Sequence, residues 1–123
     1  MTKNRYLYTS NNPVNWIDPY GLWDYATEYG TTAGGLTENM TSIEDSVDRI
    51  FNEVISRDAV VTYTTNGTHS SGSLHYSGNA IDLRTRDLSN NQRQCTTERL
   101  RDALGSDYDV INEGDHIHVE YDP

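Results

Sequence analysis

The chain has few of the features that mark nucleic-acid-binding, membrane-spanning or disulfide-stabilised proteins. Its 123 residues include one cysteine, and nine Lys and Arg stand against nineteen Asp and Glu, for a formal net charge of −10. The single Cys95 excludes an intramolecular disulfide and a cysteine-based zinc site. The acidic balance argues against a nucleic-acid partner, because such binding depends on basic patches. No apolar run approaches the roughly 20 residues of a spanning helix, so we expect no membrane insertion.

The apolar pattern predicts a small α+β domain. Apolar residues recur at helical spacing over 43–55, and a capping box at Thr41 or Ser42 would start a helix that runs to about residue 57. A second helix is predicted over 89–104, started by a capping box at Ser89. Alternation predicts strands over 60–65, 79–84, 108–113 and 116–121. This order predicts an antiparallel sheet with two main helices and a metal site on one sheet face.

The chain is predicted to divide into three segments. Residues 41–123 carry the helical and alternating patterns and are expected to form the functional domain. Residues 23–40 are rich in Gly and Thr, which is typical of a linker or a loosely packed loop. Residues 1–22 contain the turn signals Asn-Asn-Pro and Asp-Pro-Tyr-Gly and differ from the rest of the chain.

All four histidines fall in two short segments that also carry acidic residues. These read His69-Ser-Ser-Gly-Ser-Leu-His75-Tyr-Ser-Gly-Asn-Ala-Ile-Asp82 and Glu113-Gly-Asp-His116-Ile-His118. Imidazole and carboxylate groups suit zinc. Side chains alternate along a strand, so His116 and His118 project from one face, and Asp82 joins them if the two strands are neighbours. A site of two His and one Asp would leave a fourth position for water, as catalytic zinc requires.

The first histidine segment resembles a known metallopeptidase signature. Ser73-Leu-His75-Tyr-Ser-Gly78-Asn-Ala80-Ile-Asp82 is similar to the Ser-x-His-x-x-Gly-x-Ala-x-Asp motif of the D-alanyl-D-alanine metallopeptidases, a group that also contains the hedgehog signalling domain. The hedgehog pattern has a later His-Ile-His, as here, and a histidine six residues before the first ligand. The resemblance covers roughly residues 60–121.

This resemblance implies a role for each residue of the cluster. It implies a Zn2+ site with the ligands His75, Asp82 and His118. It implies that Glu113 is the general base, with His69 or His116 stabilising the oxyanion. The spacing leaves an alternative open, because Glu113 lies five residues before His118 where the hedgehog pattern has six. Glu113 and His116 instead satisfy the Glu-x-x-His of the carboxypeptidase pattern, so His116 is the alternative third ligand.

The resemblance also implies a substrate. It indicates a peptidase that cuts peptidoglycan stem peptides at a D-amino-acid bond, as a D,D-carboxypeptidase or as an endopeptidase. A non-catalytic zinc domain used for binding is one alternative. A metal-dependent nuclease toxin is another, and the acidic charge speaks against it.

Residues 1–22 resemble the end of the core repeat region of RHS (rearrangement hotspot) toxins. The match rests on Asn11-Asn12-Pro13-Val14-Asn15, followed by Asp18-Pro19-Tyr20-Gly21-Leu22. In that family the large β-shell ends here and a variable toxin domain begins. The resemblance therefore implies a cut between Leu22 and Trp23.

The same resemblance implies how the domain reaches its target. Met-Thr-Lys-Asn-Arg is followed by polar sequence and does not read as a signal peptide, so we expect another component to carry the protein. An antibacterial effector of the type VI secretion kind, acting in the periplasm of target bacteria, fits this need. The implied partners are the RHS shell of its own precursor and a cognate immunity protein.

Overall fold

A five-stranded sheet carries the fold in this computed structural model, which describes residues 23–66 and 73–123. The strands are β1 (Asp24–Tyr25), β2 (Val60–Tyr63), β3 (Ala80–Arg84), β4 (Tyr108–Asn112) and β5 (His116–Tyr121). The helices are α1 (Glu38–Thr41), α2 (Glu44–Ile55) and α3 (Asn90–Leu104). The strand order is β1-β2-β3-β5-β4, and every pairing is antiparallel except the parallel one between β1 and β2. This confirms the predicted α+β class. Within residues 23–66 and 73–123, no helix has the length and hydropathy of a membrane span.

The pairing of β3 with β5 separates an apolar face from a polar one. Ile81 lies opposite Val119 and Leu83 lies opposite Ile117, and all four side chains are fully buried. They share a core with residues of α2 and α3, namely Val47, Phe51 and Leu100. Burying each such side chain contributes about 1.5–3 kcal/mol. Since side chains alternate along a strand, the same register sends Asp82 and His118 to the opposite face.

The two main helices begin differently. The Ser89 hydroxyl accepts from the Gln92 N–H at 3.2 Å, and the Gln92 side chain accepts from the Ser89 N–H at 2.9 Å, which confirms the predicted capping box of α3. The predicted box at Thr41 or Ser42 is wrong. Both hydroxyls donate to carbonyls of the preceding turn, and α2 begins after Ile43 without a side-chain cap.

Residues 23–40 pack more tightly than a loose loop would. Trp23 and Met40 are buried in the core, and β1 adds a strand to the sheet edge. The expectation of loose packing is therefore corrected, because burial of these two large side chains ties both ends of the segment to the core. The division of the chain at residues 22 and 40 stays a prediction. Residues 1–22, with the proposed cut before Trp23, lie outside the described residues.

Gly78 lets segment 23–40 approach the turn that carries His75. Its φ is +79°, and a Cβ at this position would overlap the carbonyl oxygen of Gly35. The Gly78 carbonyl accepts from the Thr37 N–H at 3.0 Å, and the Gly78 N–H donates to the His75 carbonyl at 3.1 Å. Glycine is the residue that tolerates both the left-handed conformation and the close approach. This contact holds the His75 turn against residues 35–37, which precede α1.

Candidate metal centre

Three elements bring three metal-ligand side chains together on the polar face of the sheet. His75 comes from the turn before β3, Asp82 from the middle of β3, and His118 from β5. Asp82 and His118 are directly paired in the sheet register. His75 is 2% exposed and Asp82 is 7% exposed, so the donors lie below the surface. The structure thus brings together the three residues that the sequence predicted as ligands.

The distances between the donor atoms match a tetrahedral zinc site. Asp82 Oδ1 lies 3.0 Å from His118 Nδ1 and 3.2 Å from His75 Nε2, and the two nitrogens are 3.2 Å apart. Zinc bonds of about 2.0–2.1 Å place neighbouring ligands of a tetrahedron about 3.3 Å apart. The three donors therefore fit three corners of a zinc site, with the fourth corner left for water or substrate.

The outer nitrogen of each histidine is held by a second partner. His75 Nδ1 donates to the Thr64 carbonyl at 2.8 Å, and His118 Nε2 donates to Glu120 Oε1 at 2.7 Å. A proton on the outer nitrogen leaves the inner nitrogen to hold the metal. The cluster thus presents the correct ring nitrogen of each histidine toward Asp82.

The charges in the cluster are strongly coupled. The hydrogen bond with Asp82 raises the pKa of His118, burial of the imidazole opposes this shift, and the hydrogen bond with Glu120 adds to it. The resulting pKa of His118 is about 9. Burial of Asp82 opposes its charged form, but the hydrogen bonds from His118 and His75 outweigh it and hold the pKa of this carboxyl well below its usual range. A proton occupies His118 where a cation would bind, so metal binding has to displace it.

Glu113 and His116 form a hydrogen-bonded pair at the rim of the cluster. His116 Nε2 lies 2.8 Å from Glu113 Oε1, and its Nδ1 lies 2.7 Å from Asp115 Oδ1. Burial opposes the charged form of His116, but the hydrogen bond with Asp115, the charge of Asp82 and Glu113 together raise the pKa of this imidazole. Its Nε2 is 4.0 Å from Asp82 Oδ1.

This arrangement favours His118 over His116 as the third ligand. His118 Nδ1 belongs to the three-donor group, whereas His116 Nε2 bonds to Glu113 and lies farther from Asp82 Oδ1. The assignment of ligand and base roles stays a prediction. His69 lies outside the described residues.

The supporting roles of two residues were not predicted from sequence, although strand alternation places Glu120 on the histidine face. The alternation of β5 puts Glu120 on the same face as His118, and that pattern could have identified its role. The contribution of Thr64 is a backbone carbonyl, which any residue offers, so no sequence signal marks it.

The fold and the donor set are those of a small α+β domain with a candidate metal centre on one sheet face. A family model described as the hedgehog amino-terminal signalling domain matches residues 32–120, which is most of the chain. The chain therefore belongs to the hedgehog amino-terminal signalling domain family, which is related to zinc peptidases. A comparison with curated proteins found no match.

Proposed function

We propose that this chain is a zinc-dependent peptidase that hydrolyses peptidoglycan stem peptides at a D-amino-acid bond. The observation that carries the proposal is the Glu113–His116 pair beside a three-donor cluster with zinc-like spacing. His75, Asp82 and His118 would hold the metal. Zinc, when bound, would supply Lewis acidity and lower the pKa of water towards neutrality.

Glu113 and His116 divide the proton chemistry of this mechanism. The half-exposed Glu113 carboxylate accepts a proton from the attacking water. As the water oxygen bonds to the scissile carbonyl carbon and the C–N bond breaks, Glu113 passes that proton to the leaving amine. His116 Nε2, which bonds to Glu113 in this structure, is the proposed donor to the carbonyl oxygen as negative charge develops there, and this role requires it to turn from Glu113 to the substrate. His69 is a second proposed donor.

The substrate and the setting of this proposal come from the sequence motifs. The motif from Ser73 to Asp82 supports a D-alanyl peptide substrate, since it resembles that of D-alanyl-D-alanine metallopeptidases. Residues 1–22 support an antibacterial effector that is released from an RHS shell and neutralised by an immunity protein. Delivery into the periplasm of a target cell agrees with a cell-wall substrate.

Mass spectrometry of muropeptides digested by the full chain tests this function. With zinc we expect products shortened by hydrolysis at D-alanine, and with chelator none. Glu113→Gln should retain zinc yet lose at least 100-fold in rate, at the low end of general acid–base contributions. Glu98→Gln, which changes an exposed carboxylate on α3, is the matched control and should keep full activity. An unchanged muropeptide profile with zinc-loaded protein would refute the peptidase.

A non-catalytic zinc-binding interaction domain is the second candidate function. The description of the matching family as a signalling domain favours it. In that case the zinc-loaded chain would be retained on purified sacculi without releasing products. Glu113→Gln would then change neither retention nor zinc content.

A further inference from the structure

A pocket of about 260 Å³ opens beside the metal cluster. Its lining includes Asp82 and His116, which belong to the proposed catalytic site, and two arginines that the proposed mechanism does not use, Arg84 and Arg86. A substrate whose scissile bond lies at the cluster therefore extends along a wall that carries two guanidinium groups.

Arg84 is held in place by its neighbours. It follows Asp82 by two residues on β3, so both side chains leave the same face. Its guanidinium lies 5.8 Å from the centre of the Tyr29 ring and donates to Glu28 Oε2 at 2.9 Å. Tyr29 in turn stacks on Tyr63, with ring centres 5.5 Å apart and planes inclined by 8°. The Arg84 Nε is buried and has no hydrogen-bond partner within residues 23–66 and 73–123.

Arg86 adds a second, accessible guanidinium. It is exposed, and no carboxylate in the described part of the chain lies within ion-pair distance of it. Guanidinium groups bind carboxylates through paired, charge-assisted hydrogen bonds. The lining also carries the carboxylates of Asp82 and Asp115, and the two arginines supply its guanidinium groups in a chain with a net charge of −10.

We propose that Arg84 and Arg86 bind the free terminal carboxylate of the peptide, which makes the enzyme a carboxypeptidase. This inference rests on the proposed function, because it takes the scissile bond to lie at the metal cluster. A terminal carboxylate lies one residue, about 3.5 Å, beyond the scissile carbonyl. Arg84 leaves β3 on the same face as Asp82, and both residues line the pocket, so a carboxylate one residue beyond a scissile carbonyl at the cluster would lie on the arginine side of that pocket.

Binding of a small acid and its amide tests this subsite without requiring turnover. The probes are N-acetyl-D-Ala-D-Ala and its C-terminal amide, titrated calorimetrically into the zinc-loaded full chain carrying Glu113→Gln. We expect the acid to bind roughly tenfold or more tighter than the amide. Adding Arg84→Gln or Arg86→Gln should remove most of this preference. Arg49→Gln, which removes an exposed arginine of α2, should leave it intact. Equal affinities of the two probes, or no measurable binding of the acid, would overturn the inference.

A gain of affinity provides a test that a damaged fold cannot imitate. Glu28 competes for the Arg84 guanidinium, so Glu28→Gln should tighten binding of the acid severalfold and leave the amide unchanged. Glu53→Gln removes an exposed acid that pairs with Arg99 at 3.4 Å and should change neither. Weaker binding of the acid to the Glu28 variant would count against the proposal.

The same measurements separate this inference from the proposed function. A wild-type chain that prefers the acid but leaves muropeptides uncut would refute hydrolysis and keep the carboxylate subsite. A chain that cuts muropeptides but binds acid and amide alike would refute the subsite alone. Removal of the terminal D-alanine with cross-links left intact is the product pattern that the subsite predicts.

Discussion

Substitution of His118 and of His116, one at a time, separates a metal ligand from its neighbour. His118→Gln removes one of the three donors that lie 3.0–3.2 Å apart. His116→Gln leaves that group complete, because the bonds of His116 go to Glu113 and Asp115. The two substitutions make the same chemical change two residues apart on β5, so each is the control for the other.

The expected magnitude follows from the place of His118 in the cluster. Loss of an outer partner of a ligand costs 10- to 100-fold in metal affinity, so loss of a ligand should cost at least about 100-fold. At a zinc concentration 100 times Kd, binding stabilises the fold by about 2.7 kcal/mol, and after a 100-fold loss by about 0.4 kcal/mol. At roughly 4 °C per kcal/mol, the zinc-induced rise in Tm falls from about 10 °C to about 2 °C.

Thermal melting with and without zinc measures this directly. The comparison uses the zinc-induced shift of each variant, so that a change in the stability of the zinc-free fold does not matter. We expect His116→Gln to keep most of the shift and His118→Gln to lose it. A zinc-induced shift that disappears in His116→Gln and persists in His118→Gln would refute the ligand assignment. It would support the alternative in which His116 is the third ligand, as in the carboxypeptidase pattern.

Three further substitutions probe the surroundings of the site. Glu120→Gln should weaken zinc binding about 10- to 100-fold, since Glu120 orients His118, and competition with a chromophoric chelator measures the loss. Gly78→Ala should lower the free energy of unfolding by about 3 kcal/mol or more, because a Cβ there overlaps Gly35 at a φ of +79°, and urea unfolding measures it. Burial raises the pKa of Asp48 to about 7, so the folded state keeps a proton that the unfolded chain releases above about pH 4. Relative to Asp48→Asn, the wild-type free energy of unfolding should therefore fall as pH rises from about 4 to 7, and a relative rise over this interval would contradict the assigned shift.

The sheet and the donor face were predictable because alternation has a strict period. Ile117 and Val119 had to face the core, which sent His116 and His118 to the other side. Whether Asp82 would join them depended on β3 lying beside β5, which the sequence could state only as a condition. The capping box at Ser89 was equally local, since it involves residues three positions apart.

What escaped sequence reasoning depends on contacts between distant segments. The packing of Trp23 and Met40 could not be deduced from a segment rich in Gly and Thr, because a core contact leaves no local pattern. The hydroxyls of Thr41 and Ser42 could accept from N–H groups at the start of α2 or donate to carbonyls of the preceding turn. They donate to carbonyls because α1 forms that turn. The pocket beside Arg84 likewise depends on packing of Tyr29 against Arg84 of β3, and these two residues are more than fifty positions apart in the sequence.

Anomalous diffraction at the zinc edge, from crystals of the zinc-loaded chain, tests the central claim most directly. The account predicts one ion about 2 Å from His75 Nε2, an Asp82 carboxylate oxygen and His118 Nδ1, with a fourth position facing Glu113 and the pocket. An anomalous peak bonded to His116 in place of His118, or zinc bound only elsewhere on the chain, would contradict it.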